Sequence, residues 1–364
     1  MRVSVSAMIL LLAIALPASG RSAPPTQPPE RLDRPLVSGD LADDAACGEQ
    51  PCAEQPCEGE KEPGLLASVF GRFLNPTECD PHWCFTADAV ALQRTSTRRQ
   101  PLFDNIGVTA PSALLDSRNL EFPTQLGFQV DAVRRGPCGW EWELGYFQID
   151  GFEAGSNVSG RSTMAVSRSE GHSVIDGQAN YMSAIHLAEI NLRRQWFDGF
   201  TVLVGFRTGE LDELYTAGGR EPGETFASSV NVNTFNHLYG LQTGANYEFY
   251  NMGGPLRVSA LCKAGIYGNS AIQSTRFVVP GVTDDTVAFH RNQCAFIGET
   301  GAVATYQVTC HLSLRASCQA MWIEGVALAP EQINDYDFNP LTPGMDTHGG
   351  IFYYGGGLGA ELKF

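Results

Sequence analysis

The chain has 364 residues, of which 43% are hydrophobic, and its formal net charge at pH 7 is −16. An acidic surface argues against a nucleic-acid-binding protein, because phosphate binding needs a basic patch. Beyond the first twenty residues, no apolar run is long enough to form a membrane-spanning helix. A membrane β-barrel stays possible, because its strands alternate between lipid-facing and lumen-facing residues.

Residues 1–20 have the features of a secretory signal peptide. Arg2 supplies a positive charge, Val3–Leu16 is apolar, and small residues follow it. Residues 21–82 form a segment whose larger part, 21–64, is rich in proline and acidic side chains and has scarcely any aliphatic run. Such a segment cannot bury enough apolar area to offset the entropy of ordering. We therefore predict an exported protein with a disordered, acidic, periplasmic linker.

The ten cysteines include two groups with a spacing of five residues. Cys47, Cys52 and Cys57 lie in the linker, and Cys79 and Cys84 follow. The spacing matches no common zinc pattern, whereas disulfides are permitted in an exported chain. We expect disulfides here rather than a metal cluster, with a pairing that the spacing does not define.

From Trp83 onward, the sequence alternates between apolar and polar residues and is punctuated by turn residues. The last strand is the sharpest case: Leu358, Leu362 and Phe364 share one face, and Gly359 and Glu361 share the other. Ten segments follow this pattern, at about 83–92, 122–134, 139–149, 182–194, 200–213, 234–248, 256–267, 294–308, 311–323 and 350–364.

The connections between these segments alternate between long and short. The short ones are centred on Gly136-Pro137, Asp198-Gly199, Gly253-Pro255 and Thr309-Cys310. The long ones cover 93–121, 150–181, 214–233, 268–293 and 324–349. Outer-membrane barrels have an even number of strands, short periplasmic turns and long outer loops. We therefore predict that residues 83–364 form a closed, antiparallel, up-and-down transmembrane β-barrel of about ten strands with periplasmic termini. A hairpin hidden in 102–120 or 271–290 would change the strand number by two.

Aromatic residues cluster at both ends of the predicted strands, as expected for belts at two membrane interfaces. Beside the short turns lie Trp140, Trp142, Trp196, Phe197, Phe200, Tyr247, Phe249, Tyr250 and Phe364. Beside the long loops lie Phe235, Trp322, Phe352, Tyr353 and Tyr354.

The strand motifs resemble a known family. Tyr181–Arg194, Leu203–Arg207, Leu238–Gln242 and Trp142–Phe147 are similar to stretches of the β-barrel porin families abundant in planctomycetes. The resemblance covers most of residues 83–364 and implies a β-barrel in the outer membrane. The terminal Phe364 resembles the signal that the bacterial barrel-assembly machinery reads.

The predicted inward faces carry charges of both signs, and these residues are the candidate lumen lining. They could pair and plug the lumen, or they could line a narrow water-filled path and set its ion preference. Eight strands leave a lumen that side chains fill, and ten lies much nearer to eight than to the sixteen of an open porin. We expect a lumen largely closed by ion pairs. The candidates are Glu141, Glu143, Glu189, Arg193, Arg207, Arg257, Lys263, Glu299, Arg315 and Glu361.

The sequence contains no catalytic or phosphate-binding motif, and its seven histidines are scattered. Asp335 and Asp337 could help to bind calcium, although a solvated acidic loop is the simpler interpretation. We predict no enzyme, cofactor or metal.

The expected function is a porin-like barrel whose narrow or plugged lumen passes ions or small polar solutes, with outer-membrane lipid and the assembly machinery as partners. The alternative is a structural or adhesive surface barrel that acts through its outer loops, and an outer-membrane enzyme comes third.

Overall fold

The computed structural model describes residues 82–105, 113–136, 139–166, 171–225, 227–281, 283–334 and 344–364. The predicted signal peptide, the linker with its cysteine repeat, and Asp335 and Asp337 lie outside these ranges. The described residues form twelve strands: β1 Trp83–Arg94, β2 Pro101–Asp104, β3 Ala113–Asp116, β4 Gln125–Arg135, β5 Trp140–Ala165, β6 Gly171–Phe197, β7 Phe200–Arg220, β8 Ala227–Asn251, β9 Leu256–Val279, β10 Thr283–Gln307, β11 Leu312–Val326 and β12 Gly349–Lys363.

Ten of these strands close into a ring in which all neighbours are antiparallel. β4 to β12 pair in chain order, and β1 pairs with both β4 and β12. At the seam, the backbone N–H groups of Trp83 and Phe364 each donate to the carbonyl of the other residue, at 2.9 Å in both directions. The predicted ten-stranded, closed, up-and-down barrel is confirmed. We call the end with the short turns the lower end and the opposite end the upper end.

The side chains alternate between the two faces of the wall as the sequence predicts. On β12, Leu358 is 71% exposed on the outer face and Glu361 is buried on the inner face. The prediction of the upper aromatic belt is wrong for one of its members. Tyr353 is fully buried inside, because it lies between Phe352 and Tyr354 on the strand and so faces the opposite way.

The wall is much taller on one side. β5 to β10 are 21 to 27 residues long, whereas β1, β4, β11 and β12 are 11 to 15. The predictions of long loops at 150–181, 214–233 and 268–293 are therefore wrong, since most of these residues extend the strands. Each extension pairs with its neighbour, which satisfies backbone groups that a loop would leave to water.

Bulges explain why the sequence pattern failed in the upper parts of β5 and β6, whereas the upper pairings among β7 to β10 keep one register. The register of β5 shifts between Ile149 and Phe152, where Gly151 has φ 76°, and a second shift in β6 includes Asp176 at φ 53°. A bulge inserts an extra residue, so that Ile149 and Phe152 are both buried despite their odd spacing. A period of two therefore cannot be followed through these extensions.

The described parts of the two remaining long connections fold into the mouth of the barrel. Residues 95–124 contain the β2–β3 hairpin and the 3₁₀-helix Ser117–Asn119, and residues 327–348 contain the 3₁₀-helix Ala329–Asn334. β2 pairs with the upper end of β5, so the hairpin suggested within 102–120 exists but lies outside the ring. The hairpin considered at 271–290 is instead the upper end of β9 and β10. Within the described ranges, no helix combines the length and apolarity needed to cross a membrane.

Candidate functional site: the interior of the barrel

The interior has three layers, which follow from the inward positions of the strands and from the two infolded connections. From the lower end upward, we call them the lower cavity, the ion-pair layer and the apolar plug. The lower cavity has a volume of about 350 Å³ and lies among the lower ends of the strands. Each layer has its own chemistry.

The ion-pair layer is built on Glu189 of β6. Arg207 donates from Nε to Glu189 Oε2 at 2.8 Å and from Nη2 to Glu299 Oε2 at 2.8 Å. Lys263 donates from Nζ to Glu189 Oε1 at 2.5 Å and lies 3.6 Å from Glu143 Oε1. These side chains are almost fully buried. Charges removed from water need partners, and here each has at least one of opposite sign.

Neutral side chains complete this layer. Asn191 donates to Glu143 Oε1 at 2.8 Å, and Gln242 donates to Asn191 Oδ1 at 2.7 Å and to Glu189 Oε2 at 3.0 Å. Arg193 donates to Glu143 Oε2 at 2.7 Å. Glu143 and Glu189 therefore each accept more than one hydrogen bond, which is the condition under which a buried polar network holds one geometry.

Most ion pairs of the lower cavity are longer, although Lys363 Nζ lies 2.7 Å from Glu361 Oε1. Arg315 lies 3.3 Å from Asp88 and 3.7 Å from Glu361, and Arg257 lies 3.5 Å from Glu361. Glu141 lies 3.3 Å from Arg135. Several of these side chains keep part of their surface exposed, so the lower cavity is polar and accessible to solvent, unlike the layer above it.

The apolar plug closes the upper interior with aromatic rings from both the wall and the infolded connections. The ring of Phe122 lies 6.0 Å from that of Phe152 and 5.0 Å from that of Tyr181. The rings of Phe152 and Tyr353 are 5.7 Å apart. Phe103 of the hairpin packs against the backbone of β6 with no exposed surface. Wall and connections thus share one continuous hydrophobic core.

A buried ion pair fastens this plug to the wall. Arg94 donates to Glu213 at 2.5 Å, and neither side chain is exposed. The Arg94 guanidinium lies 4.7 Å from the ring centre of Phe122 and 4.9 Å from that of Tyr181. The N–H of Ala329 donates to the other Glu213 oxygen at 2.8 Å. One carboxylate of β7 therefore holds β1 and the second connection together.

Further hydrogen bonds fix the two connections to the wall and to each other. The Asn236 amide donates to the carbonyl of Ala327 at 2.8 Å and accepts from its N–H at 2.7 Å. Arg98 pairs with Glu331 at 3.0 Å and with Asp346 at 3.1 Å. Burial raises the pKa of Glu331, and the hydrogen bonds from Arg98 act in the opposite direction.

The ten predicted lumen residues fall into two groups. Six lie in the ion-pair layer: Glu143, Glu189, Arg193, Arg207, Lys263 and Glu299. The other four, Glu141, Arg257, Arg315 and Glu361, line the lower cavity. Phe364 lies at the seam, with its ring 6.1 Å from that of Phe85.

Sequence reasoning missed several residues of the interior. Asp88 and Asp131 lie on inward positions of β1 and β4, and the alternation of those two strands would have identified them. Asn191 and Gln242 are neutral, so a search for charged residues on the inward faces does not find them. The plug residues Phe103 and Phe122 lie in connections without a readable period, so only the tertiary structure reveals them.

Neither metal nor disulfide chemistry is evident among the described residues. No group of three metal-binding side chains occurs there. Cys84, Cys262, Cys294, Cys310 and Cys318 are free thiols.

No family model and no curated protein matches the sequence. Among solved structures, the chain is similar to the outer membrane protease OmpT from Escherichia coli, at 10% identity over 80% of this chain and 99% of that chain, with a TM-score of 0.45. It is also similar to the translocator domain of the autotransporter NalP from Neisseria meningitidis, at 13% identity over 82% and 96% of the two chains, with a TM-score of 0.35. A Pseudomonas aeruginosa FadL homologue follows at 10% identity over 78% and 91%, with a TM-score of 0.29. TM-scores this low assign the chain to none of these proteins, and the strand pairing itself establishes the fold.

Proposed function

We propose that this chain is an outer-membrane barrel with a closed lumen, which acts through its tall extracellular half. The first support is the outer surface. On β9, the outward residues from Leu256 to Ile266 are apolar or small; Gly268 and Ser270 follow them, and Ile272 lies beyond, between Ser270 and Ser274. Ten residue steps extend roughly 33 Å along a strand, and the usual tilt of about 40° reduces this to ~25 Å. That is the height of a bilayer's apolar band.

The main support for a closed lumen is a single observation: the apolar plug lies above an ion-pair layer whose charges neutralise each other. An ion that crosses would have to leave water among Phe122, Phe152 and Tyr353, where the nearby charges of Arg94 and Glu213 are already paired with each other. A free diffusion pore is disfavoured for this reason. The surface that remains for function is the wall formed by the upper halves of β5 to β10.

A second candidate, gated passage of ions or small polar solutes, is favoured by the lower cavity. That cavity is polar, and its longer ion pairs leave Arg257 and Arg315 partly exposed. Passage would require the two infolded connections to leave the mouth, which means breaking the bonds of Glu213 and Asn236. The solute is not assigned.

An enzyme is the least supported candidate. The nearest approach to a catalytic arrangement in the described part of the chain is Ser228, His172 and Glu221 at the upper end. Ser228 Oγ lies 3.2 Å from His172 Nε2, and Glu221 contacts the same nitrogen. A hydrolytic triad needs the acid on one ring nitrogen and the nucleophile on the other.

In the proposed setting, the partners are outer-membrane lipid and the barrel-assembly machinery, with Phe364 as the residue that the machinery reads. Its place at the seam, hydrogen-bonded to Trp83, supports this role.

Single-channel recording in a planar bilayer tests the closed lumen. We expect no steady conductance steps from the refolded, heat-modifiable full-length barrel. The double variant Phe122→Ala, Phe152→Ala should conduct, because it opens the plug while leaving the ion-pair layer intact. Regular steps from the unmodified protein, altered in ion preference by Arg207→Ala, would contradict a closed lumen and favour the channel.

A further inference from the structure

A groove on the outer face near the lower end is not explained by the proposed surface role. It has a volume of about 490 Å³ and is formed where β5, β6, β7 and β8 run side by side. Its lining combines aliphatic, aromatic and cationic side chains, including Trp140, Leu192, Arg194, Trp196, Val202 and Val204. Such a mixture differs from the purely apolar wall above it.

Arg194 is the unusual member of this groove. It shares the outer face of β6 with Ile190 and Leu192 and lies directly opposite Trp140 on β5 and Val202 on β7. Its guanidinium lies 4.9 Å from the ring centre of Trp140. No carboxylate among the described residues forms an ion pair with it. A cation that faces outward at the edge of an apolar band, without an acidic partner, is complementary to an anionic group outside the protein.

We propose that this groove binds one glycerophospholipid of the inner leaflet, with its phosphate at Arg194 and an acyl chain along Leu192, Val202 and Val204. The inference rests on the proposed position in the outer membrane. A guanidinium presents several N–H donors in a fixed plane, which suits the oxygens of a phosphate diester. Trp140 and Trp196 belong to the lower aromatic belt, where indole rings accompany lipid headgroups. An acyl chain explains the aliphatic lining, which a free anion would not need.

Arg134 provides a matched control. It also lies near the lower end of the outer face, its guanidinium lies 5.4 Å from the ring centre of Trp83, and the described residues give it no acidic partner. It does not line the groove. General attraction between a cationic belt and lipid would involve both arginines equally, whereas the proposed site involves Arg194 alone.

The test uses the full-length protein folded into vesicles of phosphatidylethanolamine and phosphatidylglycerol, extracted in mild detergent and examined by native mass spectrometry. We expect one retained phospholipid per barrel. Arg194→Gln should reduce the retained fraction about tenfold, which corresponds to the loss of ~1.4 kcal/mol. Val204→Trp should fill the groove and reduce retention with Arg194 still present, and Arg134→Gln should leave retention unchanged.

Several results would contradict the proposed lipid site, and each has a different meaning. Equal losses in the Arg134 and Arg194 variants, or full retention in both groove variants, would overturn the site. Displacement of the lipid by inorganic phosphate alone would show an anion site without acyl recognition, and it would also overturn the proposal. Failure of the unmodified chain to fold into vesicles would overturn the membrane location and the site together. A folded barrel that retains no lipid would overturn the site alone.

Discussion

At the scale of single residues, position on the wall decides what an arginine does. Arg207 is buried in the ion-pair layer between Glu189 and Glu299, while Arg94 is enclosed by aromatic rings and Glu213. The cost of removing a charge from water is offset only where partners are fixed by the fold.

Replacing Arg207 by Ala should destabilise the barrel by about 3–5 kcal/mol, because Glu189 would keep only Lys263 as a cationic partner and Glu299 would lose its own. Unfolding in urea, followed in lipid vesicles, measures this change.

Arg220→Ala is the control for Arg207. That side chain is largely exposed at the end of β7 and lies 3.7 Å from Asp176, so its removal should change stability by no more than about 0.5 kcal/mol. Similar losses in both variants would mean that the ion-pair layer does not stabilise the fold.

At the scale of elements, the lower and upper halves of the strands differ in how well the sequence predicts them. Their lower halves follow a period of two, so the sequence predicts which face each residue occupies. The upper halves of β5 and β6 contain bulges that change the phase. The Asp150-Gly151 step is one such bulge, and the sequence alone suggests a loop there.

Leu358→Arg tests the lipid-facing side of β12. Leu358 lies midway between Phe364 and the upper aromatic residues Phe352 and Tyr354, so it should lie near the bilayer centre. An arginine there should cost about 2–4 kcal/mol of folding free energy in vesicles.

Ser274→Arg is the matched change on the outer face of β9 above the apolar band, and it should cost almost nothing. If Leu358→Arg proved as mild as Ser274→Arg in the same unfolding experiment, the outer face of β12 would not be in contact with lipid.

At the scale of the whole molecule, the interior of the barrel is polar and solvent-accessible below, neutralised by ion pairs in the middle and mainly apolar above. This order follows from the unequal heights of its two sides. The tall wall of β5 to β10 offers an inner surface above the ends of the short strands, and the described parts of the two long connections pack against it. A barrel whose strands all had the same length would have no projecting inner surface for the connections to cover.

An epitope inserted at Pro222-Gly223, in the turn between β7 and β8, should be accessible to antibody on intact cells. The same epitope inserted at Gly253-Gly254, in the turn between β8 and β9, should be accessible only after the outer membrane is permeabilised. The reverse pattern would invert the proposed orientation, and accessibility of both sites on intact cells would contradict a membrane-spanning barrel.

The sequence by itself determined the ten-stranded ring, the faces of the lower strand halves and most of the charged residues that lie inside them. Those features repeat along the chain with a fixed period, and they depend only on which side of the wall meets water. The tertiary structure alone decided the pairing of Arg207 with Glu299 and of Arg94 with Glu213, which join residues far apart in sequence. It also decided the apolar plug, because Phe103 and Phe122 are buried only by contacts with wall residues far away in sequence.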